Sequence, residues 1–109
     1  MTAVPQTPPI ALADNAVVLD VREQHEWDLG HAPNAVHIPL GDLAARVGEL
    51  PQVDGALPVT CRSGGRSARA VAWLVQQGYD ATNVDGGMTA WAGAGKPMVA
   101  AGDAAPRVK

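Results

Sequence analysis

The chain has 109 residues, enough for one domain with its own core and not comfortably for two. Hydrophobic residues make up 47% and charged residues 17%, which excludes a disordered tail or a coiled coil. A net charge of −3, with no Phe and 4% aromatics, argues against partners reached through broad positive charge or base stacking, so neither nucleic acid nor an anionic membrane face is expected.

Residues 1–9 carry Pro5, Pro8 and Pro9 and read as an extended lead-in. Met1 to Pro5 lacks a basic stretch leading into an apolar one, so no signal peptide is expected. No apolar run approaches the roughly 18 residues of a membrane span, and a cytoplasmic domain is the expectation. Ile10 is placed at the start of a short edge strand. Val17 to Val21 is β-branched and nearly unalternated, as a strand covered on both faces should be. Residues 23–29 predict one or two helical turns, and Glu23, Glu26 and Asp28 read as a solvated acidic face. Gly30, Pro33 and Asn34 mark a turn before a short strand, Ala35 to Ile38.

Asp42 to Leu50 predicts a helix, with Leu43, Val47 and Leu50 at spacings of four and three and Asp42 in its first turn. Leu57 to Thr60 is the third strong strand. Arg66 to Gln77 is the best helix, its stripe read as Ala68, Val71, Ala72 and Val75, with Gly78 at its C-terminal cap. Ala81 to Val84 is a further strand, Gly86-Gly87 a turn, and Met88 to Ala92 a short helix. The Gly- and Ala-rich end reads as loose. The expected organisation is a lead-in at 1–9, a domain at 10–98 and a flexible tail at 99–109. Alternating strands and helices predict an α/β fold with a parallel sheet between helical layers. In such folds, functional loops leave the carboxyl ends of strands.

Cys61, the single cysteine, stands at one such end. It can form no internal disulfide, and neither it nor the spacing of His31 and His37 makes a metal site. No cofactor is called for. Three of the six arginines lie in residues 62–69 of Cys61-Arg62-Ser63-Gly64-Gly65-Arg66-Ser67-Ala68-Arg69. A thiol between a strand end and a helix start meets N–H groups and a positive dipole end, which favour the thiolate. Arginine charge favours it further, and Gly64 and Gly65 allow N–H groups to converge as an anion nest. The Gly-x-x-x-x-Gly-Lys run of a nucleotide loop is missing, and so is the spaced third glycine of a dinucleotide fingerprint.

These residues, in their order and spacing, resemble the rhodanese (thiosulfate sulfurtransferase) domain. The resemblance runs through Leu19-Asp20-Val21-Arg22-Glu23, Glu26-Trp27, Gly30-His31-Ala32-Pro33-Asn34-Ala35 and Ile38-Pro39. It continues through Cys61 to Ser67, Gly78-Tyr79, Asp85 to Trp91 and Gly95-Lys96-Pro97. It implies a five-stranded parallel sheet of order 1-5-4-2-3 in a three-layer α/β/α fold. It also implies a Cys61 nucleophile that takes a sulfane sulfur from thiosulfate or a related anionic donor. The resulting persulfide would then pass to cyanide, a thiol or a protein sulfur-relay partner. Arg62, Ser63, Gly64, Gly65 and Arg66 match the substrate-binding loop. Asp20, Arg22 and His31 are expected to support it, the first two as a salt bridge and His31 through its turn. Asn34 stands where the family usually has glycine and is expected to tolerate a left-handed backbone. Related phosphatases carry five residues between Cys and Arg, whereas four separate Cys61 from Arg66. That smaller ring suits one sulfur atom and disfavours a phosphatase or arsenate reductase. A persulfide carrier or a regulatory module acting with protein partners is the alternative reading.

Overall fold

The computed structural model describes residues 4–109. Five strands, β1 (Gln6–Thr7), β2 (Leu19–Asp20), β3 (Val36–His37), β4 (Leu57–Thr60) and β5 (Ala81–Val84), form one parallel sheet of order β1-β5-β4-β2-β3. Three α-helices flank it: α1 (Gln24–Leu29), α2 (Gly65–Gln76) and α3 (Gly87–Gly93). This is the expected α/β fold with the expected strand order. Every residue of β4 and β5 is buried, so neither strand has a solvent face; the buried polar side chains of β5, Thr82 and Asn83, are hydrogen-bonded.

The two faces are packed by different helices because adjacent strand residues point opposite ways. Leu19, Val21 and Val59 face α2 and join Ala70, Val71 and Leu74 in the larger core. Val18 faces α3 and meets Ala32, Met88 and Trp91. Trp91 is wholly buried in this core, with its indole N–H donated to the Pro97 carbonyl at 2.9 Å. No described helix is long and apolar enough to cross a membrane.

The structure corrects four local expectations. The edge strand is Gln6–Thr7, not a strand beginning at Ile10, which lies in a 3₁₀ turn and is 81% exposed. Two polar residues carry no hydrophobic pattern; pairing with Asn83 and Val84 of β5 is what makes them a strand. Residues 42–50 form no α-helix. Two 3₁₀ turns, Leu40–Asp42 and Val47–Glu49, bring Leu43 and Leu50 to the core instead. Gly41 and Gly48 each disfavour a helix by about 1 kcal/mol, and Pro39 and Pro51 bracket the segment.

On α2 the buried face is Ser67, Ala70, Val71 and Leu74, and Val75 is half exposed. The helix springs directly from the Cys61 loop, which turns Ser67 inward and carries Leu74 with it. Gly78 does end this helix, at φ 92°. The Gly78 N–H donates to the Val75 carbonyl and the Tyr79 N–H to that of Leu74, a Schellman closure. Asn34, finally, keeps a negative φ, as do all described non-glycine residues. Its turn is closed by the Ala35 N–H on the Ala32 carbonyl, and its side-chain amide donates to the Asn15 carbonyl.

The C-terminal segment, expected to be loose, runs back beside α1. The Ala101 N–H donates to the Asp28 carbonyl, and the Arg107 N–H to that of Leu29. Val99 forms an antiparallel bridge with His31, and Val108 packs on the α3 core. The Arg107 backbone passes so close to Gly30 that a Cβ there would lie 2.7 Å from the Arg107 carbonyl oxygen.

Candidate active site

Cys61 follows β4 directly and α2 begins at Gly65, so a four-residue loop, Cys61 to Gly64, must turn the chain from strand to helix. Gly64 makes that turn at φ 110°, a conformation side chains resist. Gly65 has an ordinary φ and open space around it, so only one of the paired glycines is required by backbone geometry. The first turn of α3 holds the loop from behind. The Met88 N–H donates to the Cys61 carbonyl at 2.8 Å and the Thr89 N–H to the Arg62 carbonyl at 2.9 Å. With its carbonyls engaged on that side, the loop presents its N–H groups to the sulfur.

The Cys61 side chain is 1% exposed, at the floor of a loop whose Arg62, Ser63 and Gly65 are exposed. The Gly64 N–H points at Sγ from 3.1 Å and the Ser67 hydroxyl lies 3.3 Å from it. Burial pushes the thiol up. The Ser67 hydroxyl and the N–H groups of Ser67, Gly64 and Ser63 outweigh that and hold the thiol below its ordinary value. Hydrogen bonds to the charged form thus prevail over desolvation, the arrangement an activated cysteine needs.

The two arginines expected to bind substrate divide. Arg62 is exposed and, among the described residues, pairs with no carboxylate. Arg66 makes a two-pronged pair with Glu26 of α1, at 2.7 and 2.8 Å. Glu26 was expected on a solvated face and is 6% exposed instead. It also accepts the Glu23 N–H as half of a capping box on α1. Reading α1 by composition alone missed this, because the partner is 40 residues away. A Glu three residues after Glu23, at a helix start, was the one available signal.

The Arg66 guanidinium holds the Glu26 carboxyl well down, from 4.5 to about 2. A folded-state value below the unfolded one means the pair stabilises the fold fully above the ordinary carboxylate range. That contribution disappears as pH falls from about 4.5 towards 2. Glu26→Gln is therefore expected to cost about 1–2 kcal/mol at neutral pH, discounted because Arg66 is partly solvated. Urea unfolding at a series of pH values checks this: the gap between wild type and Glu26→Gln should close in acid, and a constant gap would refute the pairing.

Asp20 and Arg22 form a fully buried pair at 2.7 Å, with two further Arg22 Nε contacts to the same carboxylate. Arg22 also donates to the Gly30 carbonyl at 2.7 Å, so the pair ties the end of β2 to the chain beyond α1. His31 contacts Trp27 and Val99. Its Nδ1 is 2.8 Å from the Trp27 carbonyl oxygen and its ring stacks on Trp27 at 3.5 Å. Two residues beyond the expected set reach the sulfur's surroundings: Ser67, and Asn83 of β5, which bonds to Ser67 and to the Gly64 carbonyl. A concavity of about 510 Å³ lies elsewhere, between Leu50, Pro51, Val53, Leu57, Tyr79 and Asp80. It offers neither thiol nor cation.

With this geometry in place, the comparisons with known proteins are specific. The family model for the rhodanese-like domain matches residues 10–94. A sulfurtransferase of Allochromatium vinosum is 38% identical over 92 residues, covering 84% of this chain and 85% of that protein. A rhodanese-related protein from Thermoplasma volcanium superimposes with a TM-score of 0.78 at 34% identity, over 87% of this chain and 97% of its own. A thiosulfate sulfurtransferase from Pseudomonas aeruginosa gives a TM-score of 0.76 at 25% identity, over 91% of this chain and 21% of its own.

Proposed function

The chain belongs to the rhodanese-like domain family and is related to sulfurtransferases, and we propose that it moves a sulfane sulfur from thiosulfate or a related donor to a thiophilic acceptor through a Cys61 persulfide. The observation that carries this reading is the set of hydrogen-bond donors around Cys61 Sγ, which favours the thiolate despite burial. The thiolate attacks the outer sulfur of the donor, a new S–S bond forms, and the old one breaks with its electron pair on the departing sulfite. Cys61 then carries an anionic outer sulfur on a neutral inner one. Cyanide or a thiolate attacks the outer sulfur, the S–S bond breaks, and the electron pair returns to Cys61 Sγ. Charge balances in both halves, and no oxidant is consumed.

Arg62, which among the described residues pairs with no carboxylate, is a loop cation available to attract a dianionic donor. Arg66, neutralised by Glu26, braces the loop against α1. Arg62→Ala should therefore raise the KM for thiosulfate several-fold, about 1–2 kcal/mol, and leave that for cyanide little changed. Arg66→Ala should act mainly on stability. Steady-state kinetics with each substrate varied in turn separates the two, and an unchanged thiosulfate KM in Arg62→Ala would assign donor binding to backbone N–H groups alone.

The direct test is intact-mass spectrometry. Thiosulfate should add one sulfur, about 32 Da, and cyanide should remove it as thiocyanate. A protein that gains no mass from thiosulfate is not the enzyme described here.

A further inference from the structure

Beside the sulfur lies a hydrogen-bond conflict that the transfer mechanism alone does not use. Ser67 has one hydroxyl proton and two acceptors within reach: Cys61 Sγ at 3.3 Å and Asn83 Oδ1 at 2.5 Å. Asn83 cannot be turned around to relieve this. Its Nδ2 donates to the Gly64 carbonyl at 3.2 Å and to Gln6 Oε1 on the edge strand at 3.1 Å. A carbonyl oxygen can only accept, so the amide end facing Gly64 is the donor, and Oδ1 must face Ser67. The proton therefore goes to Asn83 or to the sulfur, never to both.

We propose that Asn83 is a positioning residue that parks the Ser67 hydroxyl while Cys61 Sγ is neutral and yields it when Sγ becomes an anion. The purpose of this switch rests on the sulfur-transfer reading. In the persulfide, Sγ is a neutral divalent sulfur and needs no donor, so Ser67 bonds to Asn83. When the acceptor attacks the outer sulfur, the S–S bond breaks and its electron pair collects on Sγ. The hydroxyl then rotates to the new thiolate. A donor bonded elsewhere before the charge develops, and to it afterwards, stabilises the departing thiolate more than the persulfide. In the resting thiol the same chain runs from S–H to Ser67 Oγ and from Ser67 O–H to Asn83. Gly64, at a φ of 110° set by its own turn between β4 and α2, keeps its N–H on the sulfur throughout, with or without Asn83. Arg66 is the charged group coupled to this sulfur, and its pairing with Glu26 keeps it fixed across the switch.

The test reads the thiol without any sulfur donor. Alkylation of Cys61 by iodoacetamide is followed against pH in wild type, Ser67→Ala, Asn83→Ala and the double variant. Removing Asn83 leaves the sulfur as the sole acceptor for the hydroxyl. Asn83→Ala should therefore lower the midpoint by about half a pH unit, roughly threefold more thiolate at equal pH. Ser67→Ala should raise it, and adding Asn83→Ala to Ser67→Ala should change nothing further. If Asn83→Ala does not fold, Asn83→Leu keeps the volume and removes the same acceptor. A midpoint unchanged or raised without Asn83, or a shift that persists without Ser67, overturns the switch. Sulfur loading by thiosulfate in the wild type is scored separately, so loading without this coupling rejects the switch alone. Coupling without loading would reject the transfer reading and with it the switch's purpose.

Discussion

Cys61→Ser should fold as the wild type does and lose sulfur transfer by at least about a thousandfold. The side chain is fully enclosed, and serine fits the same space with an oxygen that can still accept from Gly64 and Ser67. Folding should therefore survive. Chemistry should not: a hydroxyl stays protonated where the thiol, held below its ordinary value by the same donors, ionises. With one cysteine in the chain, no other side chain can carry the sulfur. Thiocyanate production and the intact mass after thiosulfate measure the loss, and circular dichroism checks the fold. Mass gain on the folded variant would remove Cys61 from the mechanism.

Gly87→Ala should be the most damaging single methyl in the molecule outside the packed cores. A Cβ at residue 87 would sit 2.5 Å from the Cys61 carbonyl oxygen and 2.7 Å from the carbonyl carbon and oxygen of Arg62. Those neighbours are backbone and have no rotamer to change. The φ of 59° adds a left-handed penalty of about 1 kcal/mol for any side chain. Relief requires moving the loop off α3, which breaks the Met88 and Thr89 hydrogen bonds that aim it. The expected results are a loss of about 2–4 kcal/mol in unfolding free energy and a fall of at least tenfold in kcat/KM for thiosulfate. Gly65→Ala is the internal control, since a Cβ there meets open space and φ is ordinary. It should stay near wild type in stability. Equal stability of the two variants in urea would mean that the loop yields freely and that α3 does not position it.

Cys61, its strand and its helix were readable from the chain because each depends on neighbours in sequence. A strand covered on both faces favours an apolar run, as Leu57 to Val59 has, and a left-handed turn favours a glycine, as at Gly64. Alternation of strands and helices then implies a parallel sheet with the functional loop at a carboxyl edge. The buried Asp20–Arg22 pair was legible for the same reason, its members being two residues apart at a strand end.

Other features required the tertiary structure, because their partners are distant in sequence and their residue types are common on surfaces. Glu26 looks solvated until α1 is set beside the loop and Arg66 reaches it. Gln6 and Thr7 have no strand pattern until β5 offers them an edge. Ser67 belongs to the loop motif in sequence, but its rivalry with Asn83 depends on the end of β5 lying against the first turn of α2. A periodic hydrophobic pattern records which way a segment faces. It does not record which polar group a sheet's register will place opposite it, and that placement decides which donor the sulfur receives.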